Sequence, residues 1–166
     1  MSETDEAYRY HVRTGGCQCG AVRFRAAELC DNPHVCHCRM CQKAVGNLFA
    51  AMVGVLHEHM IWTRGEPSEF MSSDLAARGF CGTCGTSLYY RYVDGDQLTV
   101  SIGAFDEPHS IPLLFQYGNE SRHPSFDHFD AVEAAGTTES VMTEDAKSIR
   151  ATNHQHPDHD TADWPN

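Results

Sequence analysis

Residues 79–88 read Gly-Phe-Cys-Gly-Thr-Cys-Gly-Thr-Ser-Leu. Cys81 and Cys84 form a C-x-x-C pair with Gly85 directly behind it. A tight turn of this kind aims two thiols at one point. The glycine after the second cysteine permits a positive φ that closes the turn. Tetrahedral zinc, with sulfur at ~2.3 Å, is satisfied by pairs of this kind brought together from distant parts of a chain. A second pair lies upstream in Gly15-Gly16-Cys17-Gln18-Cys19-Gly20. Gly20 follows Cys19 as Gly85 follows Cys84, and Gly15 and Gly16 leave room for backbone beside a metal. The fold is therefore read as one pinned by metal.

All eight cysteines fall between Cys17 and Cys84. A third cluster, Cys36-His37-Cys38-Arg39-Met40-Cys41, sits between the two pairs, and Cys30 stands alone. Cys17, Cys19, Cys81 and Cys84 together would close one tetrahedral site, which leaves Cys36, Cys38 and Cys41 as a set of three. Four protein ligands make a structural site, and three keep a position open for chemistry. Spacing alone also admits a grouping in which Cys30, His34 or His37 closes the central cluster. A disulfide framework fits less well, because C-x-C closes a strained ring.

His37 lies between two ligands, so its side chain is expected to point away from a metal held by both. Cys30 reads as a small half-buried thiol. Arg39 and Lys43 flank the three-cysteine cluster, where they suit a carboxylate-bearing ligand as well as they suit solvent. Phe24 and Trp62 are expected in the core. His57 and His59 carry no assigned role.

Outward from the clusters the chain reads as short strands. Segments 8–13 and 21–26 alternate at period two, and 47–53 and 59–64 look like further strands. Asp94-Gly95-Asp96 between the β-rich runs 86–93 and 97–103 predicts a hairpin. Only 38–45 and 74–78 read as helical turns. The fold class is mainly β with short helical turns.

The 166 residues carry a formal charge of −11. Residues 127–166 hold nine acids against Lys147 and Arg150, so −7 of that total sits there. A balance this acidic disfavours nucleic acid and anionic membrane as partners. The longest apolar run, nine residues over 48–56, is far short of the ~18 of a spanning helix. The acidic start does not read as a secretory signal, so the expected compartment is the cytoplasm, where thiols stay reduced. The expected organisation is a flexible N-terminus over 1–7, a zinc-binding β domain over 8–136, and a poorly ordered acidic tail over 137–166. That tail contains His154, His156 and His159, read as solvated chain rather than as a metal-scavenging cluster.

With these motifs in order, the chain resembles the glutathione-dependent formaldehyde-activating enzyme family, which also includes centromere protein V. The resemblance rests on residues 15–24, 36–49, 62–65, 72–73, 79–88 and 100–108. It implies a β-tent, in which antiparallel sheets are pinned by zinc. It implies two zincs per chain, a structural one on Cys17, Cys19, Cys81 and Cys84 and a catalytic one on Cys36, Cys38 and Cys41. The open position of the second would take the thiol of glutathione or a substrate, with Arg39 and Lys43 as partners for a glutathione carboxylate. The implied activity is that of a carbon–sulfur lyase making or breaking S-hydroxymethylglutathione, or acting on a related small electrophile. The alternative is a non-catalytic zinc-stabilised binding module, and a zinc-buffering or redox-sensing protein is a third reading. The chain departs from the family's usual pattern over 112–117 and at Pro124-Ser125, so the C-terminal wall of the pocket is expected to differ.

Overall fold

The computed structural model describes residues 7–164. The N-terminus expected to be flexible thus lies, up to residue 6, outside the described residues. Ten strands and three helices follow in order: β1 (Arg13–Gly16), β2 (Arg23–Ala26), β3 (His34–Cys36), α1 (Arg39–Val45), β4 (Ala50–Leu56), β5 (Met60–Arg64), β6 (Ser68–Ser73), β7 (Ala76–Phe80), β8 (Ser87–Tyr92), β9 (Gln97–Ser101), β10 (Phe115–Tyr117), α2 (Thr138–Val141) and α3 (Thr143–Thr152). Among the described residues, no helix is long and apolar enough to cross a membrane.

The strands form a three-stranded sheet, β1-β2-β5, and a seven-stranded sheet ordered β10-β3-β4-β9-β8-β7-β6. The class is mainly β, as expected. The antiparallel expectation needs one correction, because β10 runs parallel to β3. The core lies between the sheets. Phe24 is fully buried and packs edge-on against Phe105 and Trp62, with ring centroids 5.1 and 5.9 Å away. Val53, Val55, Leu88 and Val100 fill the facing side. Burying each such side chain is worth about 1.5–3 kcal/mol.

The 94–96 turn does join β8 to β9 as a hairpin. Gly95 is not in the left-handed region, however. The loop is longer than the two-residue turn that demands that geometry, and it closes through Gly95 N–H to the Tyr92 carbonyl at 3.2 Å.

Two local expectations fail for tertiary reasons. Segment 8–13 is not a strand: Ala7–Tyr10 is a 3-10 turn, and the strand begins at Arg13. Arg9 and Leu29 exchange hydrogen bonds here, Leu29 N–H to the Arg9 carbonyl and Arg9 Nε to the Leu29 carbonyl. That pairing fixes the chain outside a ladder. Segment 74–78 is not helical either. Leu75 N–H bonds Ser73 Oγ in a turn, and from Ala76 the chain joins a ladder with a neighbour on each side.

The segment from residue 137 onward, expected to be poorly ordered, carries α2 and α3 and then folds back over the protein. His156 N–H bonds the Gln18 carbonyl at 2.7 Å, and the His156 side chain is only 4% exposed. Asp160 pairs with Arg23 at 2.7 Å, and Arg64 bonds the Thr161 carbonyl. His154 and His159 remain exposed, so the three histidines do not act as one group.

Candidate metal centres

Cys17 directly follows β1, and its N–H bonds the Val22 carbonyl at 2.9 Å, folding 17–22 into a tight loop. Gly20 closes that loop at φ 74°, and its N–H bonds the Cys17 carbonyl at 3.1 Å. Cys81 follows β7 in the same manner. Gly85, at φ 78°, bonds the Cys81 carbonyl at 2.9 Å. Both glycines take the positive φ expected from the sequence.

The two loops bring four sulfurs together, all within 4.8 Å of one another. Cys17 and Cys19 Sγ are 3.6 Å apart, and Cys19 and Cys81 Sγ are 3.9 Å apart. Sulfurs at ~2.3 Å from a tetrahedral ion would be separated by ~3.8 Å, which these two separations match. Thr86 ties the loops to each other, its Oγ1 accepting from Gln18 N–H at 3.0 Å and lying 3.2 Å from Cys84 Sγ. Burial pushes the Cys17 thiol up to about 12. Burial acts the same way on Cys84, but hydrogen bonds with Thr86 win and bring it down to about 6. Four sulfurs converging at this spacing are the donor set of a metal site, whose cation holds its ligands as thiolates.

The second group is built from β3, α1 and the turn between them. Cys36 ends β3. Cys38 caps α1, its Sγ accepting from Cys41 N–H at 3.4 Å, and Cys41 is buried in the first turn of that helix. These three sulfurs also lie within 4.8 Å of one another, and among the described residues no fourth Cys, His, Asp or Glu donor joins them. The residues that could have closed the set are engaged elsewhere. Cys30 Sγ faces Gln97 Oε1, His34 Nδ1 faces the Asn32 carbonyl, and His37 Nε2 faces Gln116 Oε1. His37 is fully buried, its ring against Phe49 and Phe126, and it is not a member of the sulfur group.

A cleft of about 430 Å³ is lined by Met40, Lys43, Phe70, Arg78, Phe80 and Gly85 among others; none of the three cysteines lines it, and Met40, beside Cys41 in sequence, and Arg78 are its links to the group. Arg78 connects the cleft to the sulfurs, with Nη2 donating to Cys41 Sγ at 3.5 Å. The sequence reading missed Arg78, since Cys41 lies 37 positions away and no local motif links them. Of the two basic residues it did single out, Lys43 lines the cleft. Arg39 donates to Gln42 Oε1 at 3.3 Å on the exposed side of α1.

Residues 12–116 match the family described as glutathione-dependent formaldehyde-activating enzyme. A protein of Schizosaccharomyces pombe named as an uncharacterized lyase is 30% identical over 83 residues, covering 49% of this chain and 58% of that relative's length. The match thus spans little more than half of that relative. A crystal structure of a Rhodobacter sphaeroides protein is 22% identical, covering 55% of this chain and 85% of that one, with a TM-score of 0.47.

Proposed function

This chain belongs to the glutathione-dependent formaldehyde-activating enzyme family, and on that premise we propose that it is a zinc-dependent carbon–sulfur lyase. Its substrate would be a glutathione adduct such as S-hydroxymethylglutathione, or the adduct of a related small electrophile. The observation that carries this reading is the set of three converging sulfurs, Cys36, Cys38 and Cys41, with no fourth protein donor among the described residues; Arg78 links the set to a cleft. A purely structural second centre would have its fourth position filled by a side chain.

Cys17, Cys19, Cys81 and Cys84 would hold a structural zinc, and Cys36, Cys38 and Cys41 a second one. Zinc at an open site of this kind lowers the pKa of a bound thiol and polarises a carbonyl. The redox-inert, soft-ligand preference of zinc fits a donor set of sulfurs alone. The reaction adds S–H across the C=O of formaldehyde, forming one carbon–sulfur and one O–H bond. Its reverse breaks them, and neither direction needs an oxidant.

The chain's own residues would supply placement. Lys43 offers a cation to a substrate carboxylate. Met40, Phe70 and Phe80 give the cleft an apolar wall against which the substrate chain packs and from which water is displaced. The test is the rate of formaldehyde–glutathione exchange, measured by NMR exchange spectroscopy with and without the zinc-loaded protein. Acceleration that Cys36→Ser abolishes supports the reading. Exchange at the protein-free rate, unaffected by Cys36→Ser, ends it.

A further inference from the structure

We propose that Arg78 is the positioning residue of the three-cysteine centre, balancing its negative charge so that an anionic thiolate is preferred as fourth ligand. The inference rests on reading that centre as an open zinc site. Three thiolates around a divalent cation leave one net negative charge, and a fourth thiolate leaves two. A centre in this state binds an anion poorly unless a positive charge lies close by.

Among the described residues, Arg78 is the cation in hydrogen-bond reach of a sulfur of this group, with Nη2 3.5 Å from Cys41 Sγ. Arg39 is committed to Gln42, and Lys43 lines the cleft. The guanidinium cannot wander. Arg78 sits on β7 with Phe70 of β6 and Tyr90 of β8 as its cross-strand partners. Its Cζ lies over the Tyr90 ring, 5.1 Å from the centroid. Stacking of this kind fixes a planar guanidinium and does not hold an ammonium equally well.

The same group therefore acts in two ways. It donates to a ligand sulfur, which restrains Cys41 and draws electron density from it, as hydrogen bonds to metal ligands do. It also presents a fixed positive charge to the cleft. A thiol that takes the fourth position lies near this cation, and gains from it only when it binds as thiolate. A neutral ligand such as imidazole gains nothing from the charge.

The test uses the full chain with cobalt(II) in place of zinc, because tetrahedral cobalt thiolates report their fourth ligand through visible absorption. 2-Mercaptoethanol and imidazole are titrated separately into wild type, Arg78→Gln and Arg78→Lys. Arg78→Gln is expected to bind 2-mercaptoethanol about ten-fold more weakly, with imidazole unchanged, and Arg78→Lys to fall between. Equal weakening of both ligands, or of neither, overturns the inference while leaving the open site intact. A wild-type spectrum that responds to neither ligand overturns the open-site reading, and this inference with it. Should Arg78→Gln fail to retain two cobalt ions, Arg78→Lys decides. A thiolate-over-imidazole preference closer to wild type than to parity supports the inference, and parity overturns it.

Discussion

Trp164 Nε1 donates a 2.7 Å hydrogen bond to the carbonyl oxygen of Cys19, joining residues 145 positions apart. The contact closes a strap, since His156 bonds Gln18 from the same side and its ring packs on Gly20. A Cβ on Gly20 would sit 2.3 Å from the imidazole. The strap therefore covers the loop that carries two of the four sulfurs of the closed group. A hydrogen bond of this type is worth about 1 kcal/mol net. With zinc in the four-cysteine group, as proposed, Trp164→Ala is expected to speed its release about five-fold, followed with a chromogenic chelator. Deletion of residues 154–166 should speed it further. Release as slow as in wild type from the deleted chain would show that the strap does not guard the loop.

The two cysteine groups should respond differently to loss of one sulfur. Cys81 is buried at the end of β7 and links the large sheet to the loop after β1. Structural zinc contributes folding free energy directly. Cys81→Ser is expected to lower the melting temperature by at least about 10 °C, several kcal/mol at the usual few degrees per kcal/mol. Cys36→Ser removes a ligand from the three-sulfur group and should leave a folded domain that melts within a few degrees of wild type while binding one metal fewer. Equal losses, measured by calorimetry and metal analysis, would contradict the division into a closed and an open centre.

A buried ion pair sets an acid limit on the strap. Asp106 receives 2.8 and 2.6 Å hydrogen bonds from Arg23, which also bonds Asp160 of the tail. Burial raises the Asp106 carboxyl, but Arg23 and Thr14 outweigh it and hold the group below its ordinary 3.8. A carboxyl lowered by folding stabilises fully above its unfolded pKa, and loses that stabilisation as pH falls through the lowered folded value. Asp106→Asn should therefore cost about 2–4 kcal/mol at neutral pH, because it strips the main partner from a buried guanidinium. The gap between the two proteins should begin to narrow below about pH 4 and close only as pH falls through the lowered folded value. Denaturant melts at pH 7 and pH 3 check this, and a gap independent of pH would mean that packing, not charge, holds Asp106.

What the sequence made legible was local. Cys81 and Cys84, or Cys17 and Cys19, declare themselves because ligand spacing, turn and following glycine all fit within a few residues. The 94–96 hairpin is legible for the same reason. Strand β6 is not, because its residues are mostly exposed and so carry no alternation to read. Strand β7 contains Ala76, Ala77 and Gly79, whose small side chains give no strand signature, yet it carries Arg78 to Cys41. The tail escaped for a third reason. It is held by polar groups and one tryptophan reaching distant partners, and hydropathy does not see such contacts. The three-sulfur group was readable, and Arg78 at Cys41 and the apolar cleft that Arg78 lines were not.

On the proposed reading, Lys43 and not Arg39 would meet a substrate carboxylate. Both follow a cysteine of the three-sulfur group closely, and the sequence treats them alike. The structure does not: Lys43 lines the cleft, while Arg39 turns to Gln42 on the exposed side of α1. A charge-assisted contact to a substrate carboxylate at a half-open cleft is worth about 1 kcal/mol. Lys43→Gln is thus expected to raise KM for the glutathione adduct about five-fold, with kcat nearly unchanged, since the contact is made equally in ground and transition states. Arg39→Gln should alter neither. Steady-state kinetics on both variants decide the point, and a KM effect at Arg39 without one at Lys43 would place the carboxylate on the other side of the helix.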